Sequence, residues 1–566
     1  MIRYTFYQKN PASHYIYIDM EIDQPATELF LQLPAWRPGR YELGNFAKNV
    51  KRVDMFDQDG NTLAHSKRNK DLWHVNTGGA SQLKITYSYY AAELNAGACF
   101  ADIHQVYVNP VHCCLYVPDR QNEPHEVVLK VPEHYTVVSS LRKEGFVLTA
   151  ANYEELVDSP FIAADHVQSD RYACGHHTFH IHFIGDCRPD WQKLKADFIA
   201  FTEKQLQFWG DCPTRDYHFI FEITNHKFYH GVEHLNSTMI AIGPGYALHG
   251  AAYEDVLGVS SHELFHVWNI KYIRPAEMLP YNYTQENYAR TGFVYEGFTT
   301  YYGDKMLLAS DVFTTTQYFE TLQERLVKHF HNYGRYNLSV ADSSWETWLD
   351  GYTPGAPYRK TNIYDEGCLI AFLLDAKILS LTNNQKSLRD VCVLLYERFG
   401  KQGKGYTEQD ITALVSEVSG TDFSAFFKGL VYAPADFEKA LQEAFQYVGM
   451  ELIKQPSPLA NEALFGFKTQ EAGAFTKVAL VAPYSPAWKA GLFAGDDVLA
   501  VNNRMVRNNL SHLLEYYEPE GITLTVNTAE EVRTLVLPPA KREAFWFFHP
   551  VLKRMPDGNF DVWKNK

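Results

Sequence analysis

The hydrophobic period of this chain changes near residue 250, and that change constrains its fold more than any other feature. Before it, polar and apolar residues alternate over 14–22 and 83–89, with a further short apolar run at 127–131. Side chains along a strand point to opposite faces in turn, so alternation lays down half-buried strands. Gly, Pro, Asn and Asp clusters separate these runs. Residues 1–170 are therefore expected to form an N-terminal β-sandwich-like domain. Leu33-Pro34-Ala35-Trp36-Arg37-Pro38-Gly39-Arg40-Tyr41 reads as a stiff, aromatic loop between strands. Residues 171–250 keep strands at 178–183 and 218–223, and a helical period begins at 191–207. From about 253 to 450 the pattern is mainly helical, as over 315–330, 369–381, 387–399 and 437–447.

Composition narrows the class. The chain has 566 residues, 46% hydrophobic and 21% charged, which suits about three or four globular domains. A formal net charge of −15 argues against a nucleic-acid partner, which needs a basic face. Eight scattered cysteines form neither a zinc-finger spacing nor a C-x-x-C pair and read as buried apolar residues. No run of about 20 apolar residues occurs, so no membrane span is expected. Met1-Ile2-Arg3-Tyr4-Thr5-Phe6-Tyr7 reads as a strand with no signal-peptide regions before it. The expected location is cytoplasmic, with periplasmic or secreted as the alternative if a leader has been removed.

The strongest chemical signal sits where the period changes. His262 and His266 are four apart, so on a helix both imidazoles reach one ion. Glu254 and Asp255 place acids at the helix start, and Pro275 sets its latest stop. Glu263 leans toward the same ion from a position poor for ligation and good for taking a proton from a metal-bound water. A catalytic zinc takes three protein ligands and keeps one position open. Glu296, opening what reads as a second, aromatic-faced helix, is the best third ligand. Glu286, in a polar loop-like stretch, is its competitor. Nitrogen and oxygen donors without a thiolate favour one Zn2+ ion over iron or calcium. Such a centre cleaves an amide.

His262-Glu263-Leu264-Phe265-His266-Val267-Trp268-Asn269, Ile273-Arg274-Pro275 and Glu296-Gly297-Phe298-Thr299-Thr300-Tyr301-Tyr302 together resemble the glycyl aminopeptidase family of zinc peptidases. The early Pro34–Tyr41 segment is similar to that family's N-terminal signature. The resemblance implies a multidomain α+β protein: a β-sandwich-like domain at 1–170, a mostly helical, thermolysin-like zinc peptidase domain at 171–450 and a C-terminal PDZ domain. It also implies removal of small N-terminal residues, Gly and Ala above all, from peptides with a free N-terminus. Gly231-Val232-Glu233-His234 resembles a segment whose acid holds the substrate's α-amino group, which gives Glu233 that role. Tyr364-Asp365-Glu366-Gly367 resembles one whose Tyr stabilises the oxyanion, which gives Tyr364 that role. Glu366 stands where that pattern has Lys.

Gln455-Pro456-Ser457-Pro458 reads as a linker. Beyond it, Leu464-Phe465-Gly466-Phe467, Ser485-Pro486-Ala487-Trp488-Lys489-Ala490-Gly491-Leu492 and Gly495-Asp496-Asp497-Val498 look like a PDZ domain over 458–540, with an amphipathic helix at 509–517. PDZ domains bind extended peptides or C-termini by strand addition, or serve here as a packing module. Residues 541–566 are too apolar for a free tail and are expected to pack on the body. Two other readings use the same residues. One is an endopeptidase or carboxypeptidase on the same zinc. The other is a non-catalytic peptide-binding scaffold, against which the intact His262, Glu263, His266 and Glu296 count.

Overall fold

A computed structural model describes residues 1–248, 250, 252–353, 355–472, 475–540 and 545–566. The N-terminal body is built on a seven-stranded sheet ordered Arg142–Glu144, Val147–Ala150, His125–Lys130, Ile2–Tyr7, Tyr15–Asp23, Gln82–Tyr90, Val50–Phe56. The alternation in Tyr15–Asp23 puts Ile16, Ile18, Met20 and Ile22 inward, all fully buried. A three-stranded sheet carrying Leu29, Leu31, Trp73 and Val75 and a four-stranded sheet carrying Val106, Val108 and Phe161 share this core. The four-stranded sheet is buried on both faces: Tyr107, Val138 and Ile162 turn the other way and pack on Ile220, Val232 and Met239 of the next domain.

That domain opens on a five-stranded sheet ordered Val167–Cys174, His177–Ile184, Asp216–Ile223, Ser237–Gly243, Phe228–Glu233. Its three inner strands run parallel, and Ser237–Gly243 is buried at every position. Helix Trp191–Trp209 covers one face through Phe198 and Phe201 against Phe219. Helices follow, among them Tyr253–Phe265, Thr299–Ala309, Thr315–His331, Leu388–Arg398 and Glu438–Val448. The helix expected from 369 begins six residues earlier, as Ile363–Leu381, because the Asn362 side chain accepts the backbone N–H groups of Tyr364 and Asp365. Apolar periodicity does not reveal a start set by a polar cap.

The third body is an antiparallel sheet of Phe467–Ala472, Phe475–Val481, Asp497–Val501, Ile522–Thr528 and Glu531–Leu537, with helix Leu510–Tyr517. It is inserted between two strands of the main body: Met450–Gln455 pairs antiparallel with His549–Arg554, so Gln455 faces His549. Of the expected C-terminal segment, 541–544 lie outside the described residues. Phe548, Leu552, Phe560 and Trp563 lie in the large core of the helical domain, and the Trp563 indole donates to the Tyr301 hydroxyl at 2.8 Å. The eight cysteines are free, seven of them buried.

The N-terminal and helical domains also meet through a buried charge. Asp158 accepts from Lys271 Nζ at 2.6 Å and from Leu235 N at 2.9 Å, and lies 3.3 Å from His234 Nδ1. Burial alone would raise the Asp158 pKa, but Lys271 and His234 outweigh it and hold the carboxyl well below its usual value. A depressed folded-state pKa contributes stability above the unfolded value, near about 4, and loses it as pH falls toward the folded one. Asp158→Ala leaves the Lys271 ammonium buried without its partner and is expected to cost about 3–5 kcal/mol in urea unfolding at neutral pH. The deficit relative to wild type should shrink as pH drops below about 4. A loss under about 1 kcal/mol at neutral pH would mean that the pair is not holding the domains together.

Candidate metal centre and active site

Helix Tyr253–Phe265 starts with Glu254 and Asp255 in its first turn, where the helix dipole favours acids. It ends at His266, earlier than Pro275 requires, and a run of turns carries the chain on. Both imidazoles still share one face: His262 Nε2 and His266 Nε2 are 3.0 Å apart. Glu296 Oε2 lies 3.8 Å from the first and 3.4 Å from the second. Nitrogen and oxygen donors about 2.0–2.2 Å from a tetrahedral ion stand roughly 3.3–3.5 Å apart, so the three atoms fit one zinc-sized ion. Glu296 Oε2 is buried and accepts no hydrogen bond, as expected of an atom turned toward an ion. Glu286 is not part of this cluster.

Glu296 is not at the opening of an α-helix. It lies in a π-helical turn, Phe293–Phe298, that runs into helix Thr299–Ala309. Such turns recur at functional sites because they re-aim one side chain. The turn lies against helix Ile363–Leu381 almost backbone to backbone. A Cβ on Gly297 would fall 2.3 Å from Gly367 Cα. This contact brings Tyr364, one turn before Gly367, to the cluster, with its ring 6.5 Å from that of His262. Its hydroxyl is 3.3 Å from that of Tyr352. Burial, reinforced by Glu296, pushes the Tyr364 phenol well up, so it keeps its proton. Glu366 points elsewhere: both its oxygens lie 2.9 Å from His329 Nδ1 in the core.

Glu263 faces strand Phe228–Glu233, where a Cβ on Gly231 would fall 2.2 Å from its Oε1. Glu233, Glu263 and His266 each offer an atom within 4.8 Å of the others. Glu233 Oε1 and Glu263 Oε2 are buried without hydrogen-bond partners. Burial pushes the Glu263 carboxyl well above its usual range, with His266 opposing it and Glu233 and Glu296 adding to it. Burial opposes charge on His266, but Glu296 outweighs it and lifts the imidazole to about 9.

Two residues quoted in the sequence without a role brace the cluster. The Tyr41 hydroxyl donates to Glu296 Oε1 at 2.5 Å, leaving Oε2 for the ion. Asn269 joins the two ligand-bearing segments. Its carbonyl accepts from His266 Nδ1 at 2.7 Å, which turns Nε2 outward, and its side chain donates to Val294 O and Thr299 Oγ1. Arg37, buried to 3% exposure, lies in the same loop as Tyr41, and Gly39 of that loop packs on Glu233, where a Cβ would fall 2.4 Å from its Oε2. The expected inter-strand loop is thus a wall of the site.

A hydrogen bond behind a metal ligand typically carries 10–100-fold in metal affinity. Tyr41→Phe is expected to weaken zinc binding by roughly that factor in a chelator competition, with the melting temperature of the zinc-free protein little changed. Unchanged zinc affinity would mean that Tyr41 does not orient Glu296.

Family models match three stretches: the Peptidase M61 N-terminal domain over residues 3–165, M61 glycyl aminopeptidase over 255–370 and a PDZ domain over 477–527. The crystal structure of an aminopeptidase N family protein from Idiomarina loihiensis is similar over 100% of both chains, with 25% identity and a TM-score of 0.92. The M1 zinc metallopeptidase from Deinococcus radiodurans is more distant, at 12% identity and a TM-score of 0.45 over 77% of this chain and 94% of that one. No curated protein matches in sequence. With an M61 N-terminal domain, an M61 glycyl aminopeptidase domain and a PDZ domain matched in order, the chain is a multidomain α+β metallopeptidase that is similar to M61 glycyl aminopeptidases.

Proposed function

We propose that the protein is a zinc aminopeptidase that removes small N-terminal residues, Gly and Ala above all, from peptides. His262, His266 and Glu296 would hold one ion. When bound, zinc lowers the pKa of a coordinated water and polarises the scissile carbonyl. Glu263 takes a proton on its carboxylate and passes it to the leaving amine. The Tyr364 phenol donates to the carbonyl oxygen as negative charge develops there. Glu233 accepts hydrogen bonds from the substrate's ammonium group.

The observation that carries this reading is the closeness of Glu233 to Glu263 and His266, with ligand atoms within 4.8 Å. In a peptide the α-amino nitrogen and the first carbonyl carbon are two bonds, about 2.5 Å, apart. An ammonium anchor this close to the hydrolytic carboxylate supports cleavage of the first peptide bond over an endopeptidase register. The preference for small side chains is supported by the family resemblance.

Gly- and Ala-anilides are expected to be hydrolysed, with activity lost on chelation and restored by zinc. Acetylating their α-amine should abolish turnover. Glu233→Gln should lower kcat/KM about 10–100-fold for free substrates, from the loss of a charge-assisted hydrogen bond worth roughly 1.5–3 kcal/mol. Equal hydrolysis of free and acetylated substrates would make the enzyme an endopeptidase.

A further inference from the structure

A second histidine cluster stands on the five-stranded sheet, on the face away from helix Trp191–Trp209. His180 and His182 are two apart on His177–Ile184 and share a face, while Phe179, Ile181 and Phe183 turn into the core. His218, on the neighbouring parallel strand Asp216–Ile223, pairs with His180. The three rings are nearly parallel, with centroids 4.4 Å (His180–His218) and 5.3 Å (His182–His218) apart. His182 Nε2 is 3.1 Å from His218 Nδ1, and one nitrogen from each of the three lies within 4.8 Å of the others. Ser169 Oγ sits 2.8 Å from His182 Nδ1 and so fixes that ring with Nε2 toward His218. The Asp216 carboxylate is 3.4 Å from His180 Nε2. All three imidazoles are half-buried, and none belongs to the catalytic cluster.

We propose that His180, His182 and His218 form a second metal site, which takes a divalent transition-metal ion, Zn2+ foremost, with Asp216 in reach as a fourth donor. Two strands supply a fixed two-residue spacing and a cross-strand neighbour, so three donors lie close together without a loop having to be ordered. Imidazoles select zinc, copper or nickel over calcium and magnesium, which prefer oxygen cages. Nitrogens bound to one tetrahedral zinc stand about 3.3–3.4 Å apart; the His182–His218 pair is already near that spacing, and His180, stacked on His218, joins them by turning its ring so that a nitrogen faces the ion. A polar group behind a ligating ring sets its tautomer, and Ser169 stands in that place for His182. The site lies beside the seam where Ile184 and Ile220 pack on Val138 and Ile162 of the N-terminal body. The bound ion would tie two strands of the catalytic sheet there.

The test is a zinc count on chelator-stripped, full-length protein after saturation with Zn2+ alone and gel filtration. The wild type is expected to retain about two equivalents and the His182→Gln/His218→Gln protein about one, with Gly-anilide turnover within about twofold of wild type. A His262→Ala/His266→Ala protein should also retain about one. His180→Asn, a milder change, should weaken the second site at least about tenfold if the double variant fails to fold. As much zinc in a folded His182→Gln/His218→Gln protein as in the wild type overturns the proposal. So does a His262→Ala/His266→Ala protein that retains none. The two centres fail separately: an empty catalytic centre would leave about one equivalent, lost only with His182 and His218.

Discussion

The Glu296 carboxylate is held from two sides. One oxygen accepts from Tyr41 of the N-terminal domain, and the other is left bare beside His262 and His266. A buried anion of this kind is costly unless its charge is met, so the surroundings must be rigid enough to keep it in place. The π-helical turn aims it, the Gly297–Gly367 contact lets helix Ile363–Leu381 lie against that turn, and Asn269 ties the turn to His266. Placement of Tyr364 depends on the same glycine contact. A larger residue at either glycine would separate Glu296 from the Tyr364 phenol.

The N-terminal β body is therefore part of the active site. Its loop over Trp36–Tyr41 packs against Tyr295 and Trp348, with Tyr41 reaching Glu296 and Gly39 packed on Glu233. The Asp158–Lys271–His234 cluster fixes the same domain junction one residue beyond Glu233. Movement between the domains would therefore disturb Glu233 and Glu296 together.

What could be read in the sequence follows the range of each interaction. His262, Glu263 and His266 lie within five consecutive positions, and helical spacing alone brings them to one ion. Strand alternation and the period change mark the layers for the same local reason. Tyr41 meets Glu296 across 255 positions, and nothing in the composition of its loop distinguishes a wall of the site from a stiff connection. The early start of helix Ile363–Leu381 rests on one Asn side chain. Glu366, which departs from the family pattern, turns to the buried His329. The PDZ segment was legible from its turns, but its insertion between two paired strands, Gln455 facing His549, was not, because the pairing spans residues far apart in sequence.

The most direct test of this account is anomalous diffraction at the zinc edge from crystals of the zinc-loaded protein. The account predicts a peak within about 2.0–2.2 Å of His262 Nε2, His266 Nε2 and Glu296 Oε2, with Glu263 outside ligation distance. A centre with no peak there, or one in which Glu286 or Glu263 replaces Glu296, would contradict it.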